Sequence, residues 1–159
     1  MDKQYETFIE IARKLNQEFD EAPIVYGSFG LERIIKKGIK AADIDFLVKN
    51  ELVQEKWSAL KECIRGMGFI LKREEEHEFE RDGVIVAFAP ETDVKWLTSG
   101  EPDKLIVANE DGARFRELTP QQYLELYEYL KEDSYRKQTG KAEKDKEKIR
   151  LIQEYLKEN

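Results

Sequence analysis

The stretch APIVYGSFG at residues 22–30, followed after a spacer by DIDFLV at residues 43–48, decides the fold of this chain. The apolar run at 24–26 is short and continuous, which predicts a buried β-strand that ends at a Gly-Ser pair. The pair opens a helix, expected over 31–37 and ending at Gly38. Residues 43–48 predict a second strand, with Ile44, Phe46 and Val48 on one side and Asp43, Asp45 and Leu47 on the other.

Gly27 and Ser28 have the chemistry of a phosphate-binding turn. Glycine lets the backbone approach a phosphate closely, and the free N–H groups at the start of a helix attract an anion. The Ser28 hydroxyl adds one more donor. A Gly-Ser turn after a strand also has a purely structural interpretation, so this pair alone does not identify a site.

Asp43 and Asp45 are two residues apart on a strand, so they point to the same face. Their apolar neighbours Ile44 and Phe46 are expected to face the core. Two adjacent carboxylates repel each other, whereas a magnesium ion prefers such oxygen ligands and bridges them to substrate phosphates. The alternative interpretation is a solvent-exposed acidic edge.

Taken together, these residues resemble the signature of the nucleotidyltransferase superfamily. That signature is a hydrophobic residue, Gly-Ser, a spacer (here 29–42) and then Asp-hydrophobic-Asp. The resemblance implies an α+β fold, a nucleotidyltransferase-like small mixed β-sheet flanked by helices, with C-terminal helices. It also implies transfer of a nucleoside monophosphate from a nucleoside triphosphate to an acceptor that the sequence does not identify. Asp43 and Asp45 would hold the Mg²⁺ or Mn²⁺ cofactor, and Gly27 and Ser28 would bind the phosphates.

Members of this superfamily usually have a third acid on a later strand, but this chain has Ala87 at the expected position. Asp82-Gly83 predicts a two-residue hairpin turn, which would pair Glu78 with Ala87. Because cross-strand neighbours have Cβ atoms about 5 Å apart, Glu78 is the preferred third catalytic carboxylate. Glu80 is the next candidate, and residues 91 and 93 are weaker ones. A solvated acidic strand remains the alternative.

The remaining elements complete an α+β order. Helical spacing of apolar residues covers 3–20, 51–66 and 141–157, and Thr119-Pro120 begins a further helix with a capping box. Strands are expected from residue 69, on both sides of the hairpin turn, and in a second hairpin around Gly112. We therefore expect a core over 1–118 and a C-terminal helical part, 119–159, packed on it.

Bulk properties exclude several classes of function. The 159 residues carry a net charge of −7, which argues against broad nucleic-acid binding. A single cysteine excludes an internal disulfide and favours a cytoplasmic location. No apolar run approaches the length of a membrane span, and the N-terminal residues do not resemble a signal peptide.

A second, shorter resemblance lies near the C-terminus. Lys144-Asp145 within KAEKDK (141–146) is similar to a charged motif of the stand-alone bacterial nucleotidyltransferase-like and abortive-infection toxin branch. It makes Lys144 and Asp145 additional site candidates, although ordinary ion pairs on a helix surface explain the stretch equally well. Two alternatives to an active enzyme stay open: an impaired nucleotide-binding module, and a toxin or antitoxin component that acts with a protein partner.

Overall fold

Helices and strands alternate along the first part of the chain, and two longer helices follow. The computed structural model describes residues 2–159, without the side chains at 134 and 135. The strands are β1 (Ile24–Tyr26), β2 (Asp43–Val48), β3 (Ile70–Arg73), β4 (Glu78–Arg81), β5 (Val84–Pro90), β6 (Ile106–Glu110) and β7 (Ala113–Glu117). The helices are α1 (Lys3–Phe19), α2 (Gly27–Ile35), α3 (Trp57–Gly66), α4 (Asp93–Leu97), α5 (Pro120–Leu130), α6 (Ser134–Gln138) and α7 (Lys141–Glu158).

The strands form one mixed sheet in the order β3-β4-β5-β2-β1-β7-β6. The central strand β2 runs antiparallel to β1 and parallel to β5. Because side chains alternate along each strand, β2 presents Ile44 and Phe46 to one face and Asp45 and Leu47 to the other. The predicted α+β class with a mixed sheet flanked by helices is confirmed.

Each face of the sheet has its own apolar cluster. On one face, α1 buries Phe8, Ile11 and Leu15 against a group that includes Phe46 and Val86. On the other face, α2, α5 and α7 pack around β1 and β2, in a cluster whose members include Ile24, Leu31, Leu47, Tyr123, Leu126 and Ile152. On this second face Ile85 and Ala87 of β5 are only half-buried, so part of the sheet beside β2 faces solvent.

The hairpin of β4 and β5 has the predicted register. Arg81 pairs with Val84, and Glu78 pairs with Ala87. Asp82 and Gly83 form the turn, both with positive φ (51° and 80°), as a two-residue hairpin turn requires. This register brings an acidic residue of β4 beside the position where an acid was missing.

Three local expectations were wrong or incomplete. The helix after β1 starts at Gly27 rather than at 31, and it ends in a left-handed Lys36 (φ 54°) rather than at Gly38. The helices α4 and α6 were not predicted, because five residues are too few to show a periodic pattern. The helix expected over 51–66 begins only at Trp57, after a short 3-10 helix at Asn50–Val53.

The start of α5 was predicted correctly. Thr119 accepts a hydrogen bond from the backbone N–H of Gln122, and the Gln122 side chain accepts one from the N–H of Thr119. No helix in the described part of the chain combines the length and the apolar character needed to cross a membrane.

Candidate active site

Gly27 and Ser28 lie at the point where β1 ends and α2 begins. Gly27 has a φ of +71°, a conformation that side chains with a Cβ rarely adopt. The cap residue Tyr26 makes no side-chain hydrogen bond to the first turn of α2, so the N–H groups of that turn have no cap oxygen. Unpaired N–H groups at a helix start are the usual partners of a phosphate.

Asp45 lies directly against this turn. It is paired with Tyr26 across β1 and β2. A Cβ on Gly27 would lie 2.5 Å from Oδ2 of Asp45, which is closer than the two atoms can approach. Glycine at position 27 is therefore required twice, by its φ and by the carboxylate beside it.

The third carboxylate candidate is linked to Asp45 through Ala87. Ala87 pairs with Asp45 on one side and with Glu78 on the other, so the three residues form one row across β2, β5 and β4. The backbones of Asp45 and Glu78 are thus two strand spacings, about 10 Å, apart. The small Ala87 side chain leaves the space between the two carboxylates open.

Asp43 and Asp45 both have raised pKa values. Burial raises the pKa of Asp45 to about 7, and the charges of Asp43 and Glu78 add to the effect, while Lys148 opposes it. Burial also raises the pKa of Asp43, against the charge of Lys141. A cation between Asp43 and Asp45 would remove this repulsion, and carboxylate oxygens are the ligands that Mg²⁺ prefers.

The carboxylates nevertheless do not form a complete metal cage. Among residues 2–159, no group of three or more His, Cys, Asp and Glu side chains is arranged to hold a metal ion. Asp43 and Asp45 fit a metal that takes its other ligands from water and substrate phosphates, which is the usual way in which Mg²⁺ binds at phosphoryl-transfer sites.

A cavity of about 620 Å³ opens in front of the two aspartates. One wall is formed by Gly27, Ser28, Asp43 and Asp45. The opposite wall is formed by the C-terminal helices and is predominantly basic, with Arg136, Lys141, Lys144 and Lys148 beside one acid, Glu147. An anionic ligand that also carries a metal would match both walls. A second cavity, of about 470 Å³ along α1, contains none of the residues predicted for the site.

Lys148 is the most enclosed cation of the basic wall. Its ammonium group lies 5.0 Å from the centre of the Tyr127 ring, within range of a cation–π contact. Burial lowers the pKa of Lys148, and the charges of Arg136 and Lys144 lower it further, although Asp145 and Asp45 act in the opposite direction. Tyr127 lines the same cavity as Ser28 and Lys148, so the basic wall and the turn at Gly27 and Ser28 (the phosphate turn below) face one space.

The additional candidates from the sequence have different positions. Lys144 lines the cavity. Asp145 is fully buried and forms an ion pair with Arg136. Glu80 forms an ion pair with Lys72, with 3.2 Å between Oε1 and Nζ, and does not line the cavity.

Arg136, Lys141, Lys148 and Tyr127 were not predicted from the sequence. Their signal was partly present, because Lys141, Lys144 and Lys148 are three and four residues apart and so share one helix face. What the spacing could not show is that this face of α7 is turned towards β2.

Comparison with known proteins identifies a protein of similar sequence and a solved structure of similar fold. No protein-family model matches the chain. The chain is 31% identical over 154 residues to the uncharacterized protein YnaI of Bacillus subtilis (strain 168), covering 97% of this chain and 98% of YnaI. Its structure is similar to the solution structure of the antibiotic-resistance factor ANT(2'')-Ia, an aminoglycoside nucleotidyltransferase, with a TM-score of 0.59 and 14% identity. That similarity covers 98% of this chain and 86% of ANT(2'')-Ia, and at this identity it shows the fold alone. The chain therefore belongs to the same family as YnaI and has a nucleotidyltransferase-like fold.

Proposed function

We propose that this protein is a metal-dependent nucleotidyltransferase that transfers a nucleoside monophosphate from a nucleoside triphosphate to an acceptor hydroxyl. The cavity between β2 and α7 supports the proposal, because Gly27, Ser28, Asp43, Asp45 and the cations of the basic wall all line one space. The fold shared with ANT(2'')-Ia supports nucleotidyl transfer as the class of reaction. It does not identify the acceptor or the base.

Each part of the cavity has a role in binding the triphosphate. The N–H groups at the start of α2 and the Ser28 hydroxyl would donate hydrogen bonds to phosphate oxygens. Lys144 and Lys148 would neutralise phosphate charge from the opposite wall. Asp43 and Asp45 would hold a divalent ion, which when bound stabilises the charge on the phosphates.

The acceptor is expected to approach across β5 and β4. In phosphoryl transfer the attacking and leaving oxygens lie roughly in line, so the acceptor must enter opposite the leaving pyrophosphate. Ala87 pairs with Asp45, is half-exposed and does not line the cavity that contains the basic wall. The acceptor oxygen would attack the α-phosphorus, the bond from that phosphorus to the bridging oxygen of the β-phosphate would break, and Glu78 would take the hydroxyl proton.

Glu78→Gln is expected to lower the rate of pyrophosphate release by about 100-fold or more, within the range that general-base catalysis contributes. Binding of the triphosphate should change little, because Glu78 does not line the cavity. The measurement is pyrophosphate release with each nucleoside triphosphate and a panel of hydroxyl acceptors.

Glu80→Gln is the matched control, because Glu80 lies on the same strand and the same face but pairs with Lys72. Ala87→Asp in the Glu78→Gln background is expected to restore part of the rate, since residue 87 lies between Asp45 and Glu78. Equal effects of the Glu78 and Glu80 substitutions would remove Glu78 from the proposed mechanism.

A nucleotide-binding module without transfer activity is the second candidate function. Ala87 favours it, because the strand position next to Asp45 lacks an acid. This candidate predicts triphosphate binding with no pyrophosphate release for any acceptor of the panel. Release that depends on an acceptor would exclude it.

A further inference from the structure

The pair formed by Arg136 and Asp145 connects α6 to α7 at the rim of the cavity. Nε of Arg136 donates to Oδ2 of Asp145 at 2.7 Å, and Nη2 donates to Oδ1 at 2.6 Å. Asp145 is completely buried, while the Arg136 side chain is 23% exposed. Two parallel hydrogen bonds of this kind fix the plane of a guanidinium as well as its position.

Arg136 does more in this position than neutralise a buried carboxylate. It lines the cavity, whereas Asp145 does not. Burial raises the pKa of the Tyr26 and Tyr127 phenols, and the charge of Arg136 opposes that rise for both. Tyr26 and Tyr127 line the same cavity as Arg136. Gly27 and Ser28 line it as well, so Arg136 shares the cavity with the phosphate turn.

Among the described residues, the cavity is lined by five cations (Lys40, Arg136, Lys141, Lys144 and Lys148) and three acids (Asp43, Asp45 and Glu147), so positive charge stays in excess even when the buried Asp145 is counted. Lys144 and Lys148 line the same wall, and the charges of Arg136 and Lys144 both act on Lys148. Cations that converge on one space repel one another unless an anion lies between them. The part of a nucleoside triphosphate with the highest charge density is its terminal pair of phosphates.

We infer that Arg136 binds the β- and γ-phosphates of the triphosphate, and so the leaving pyrophosphate, while Asp145 is a positioning residue that orients it. This inference rests on the proposed function, because the phosphates that Arg136 would bind belong to the triphosphate that the proposed reaction consumes. The pair with Asp145 uses Nε and Nη2 of the guanidinium, and Nη1 takes no part in it. A lysine could not span both oxygens of Asp145 and reach a phosphate as well.

The test is calorimetric titration with inorganic pyrophosphate in the presence of magnesium, and with AMP, GMP, CMP and UMP as ligands that lack these two phosphates. Arg136→Gln is expected to weaken pyrophosphate binding by about 10- to 100-fold, the loss typical of a hydrogen bond to a charged group, and to leave binding of the preferred nucleoside monophosphate unchanged. Arg136→Lys should bind pyrophosphate nearly as weakly as Arg136→Gln does. Asp145→Asn should also weaken pyrophosphate binding, and the double variant should be no weaker than Arg136→Gln alone.

Lys146→Gln is the control, because Lys146 is an exposed cation of α7 that pairs with Glu143 outside the cavity. If Asp145→Asn does not fold, Arg136→Gln and Arg136→Lys still decide the question. Wild-type affinity for pyrophosphate in folded Arg136→Gln would overturn the inference and leave the proposed function standing. If the wild-type protein bound neither pyrophosphate nor any nucleoside triphosphate, the proposed function itself would be overturned.

Discussion

Asp45→Asn is expected to lower metal-dependent nucleotidyl transfer by at least about 1000-fold, since a Mg²⁺ site at phosphates depends on one or two carboxylates. Asp45 pairs with Tyr26, next to the phosphate turn, on one side and with Ala87 on the other. An amide there has nearly the same shape but cannot neutralise a divalent ion. Pyrophosphate release would measure the loss of transfer, and calorimetry with magnesium would separately measure the loss of metal-dependent binding.

The same substitution is expected to stabilise the protein without ligand. Burial and the neighbouring acids raise the pKa of Asp45 from 3.8 to about 7. Above pH 7 the folded state must therefore carry a carboxylate that is less favourable than in the unfolded chain. Asp45→Asn removes this unfavourable charge, so its free energy of unfolding should exceed that of the wild type at pH 8. The difference should shrink as the pH falls from about 7 to about 4, where the aspartate is neutral in both states.

Asp103→Asn is the control for Asp45→Asn. It removes an exposed acid outside the cavity and should change neither activity nor stability. A variant Asp45→Asn that unfolds more easily than the wild type at pH 8 would show that Asp45 is a structural residue. A folded variant that retains magnesium-dependent transfer would contradict its assignment as a metal ligand.

Gly27→Ala is expected to abolish transfer and to destabilise the fold. The positive φ alone disfavours a residue with a Cβ by about 1–2 kcal/mol. In addition, the new Cβ would lie 2.5 Å from Oδ2 of Asp45, so the carboxylate must move away from its position in the site. The rate of pyrophosphate release and the midpoint of urea unfolding would report the two effects.

Gly83→Ala separates the backbone effect from the effect on the site. Gly83 has a φ of +80° in the hairpin turn, but a Cβ there would meet no atom within 4 Å. The two alanine variants should therefore share a similar backbone destabilisation, and only Gly27→Ala should lose activity. Full activity of Gly27→Ala would mean that Asp45 can leave its place beside the turn without consequence for catalysis.

The sequence predicted those features of the site that depend on local pattern. Strand alternation placed Asp43 and Asp45 on one face, and the Asp82-Gly83 turn fixed the register that brings Glu78 beside Ala87. Both are short-range properties, because a strand has a period of two residues and a two-residue turn leaves one register.

The basic wall could not be predicted, because it depends on how α7 packs. The apolar residues Ile149 and Ile152 fix one side of that helix on α5 and the sheet. Only the folded chain shows that this packing turns Lys144 and Lys148 towards Asp45, more than 95 residues away in sequence. Arg136 lies in a helix of five residues, which is too short to be recognised by its pattern.

The most direct test of the account is calorimetric titration of the wild-type protein with ATP, GTP, CTP and UTP, with magnesium and again with the metal chelated. We expect saturable, metal-dependent binding of at least one triphosphate, and loss of that binding in both Asp43→Asn and Asp45→Asn. Absence of binding for all four triphosphates in the presence of magnesium or manganese would contradict it.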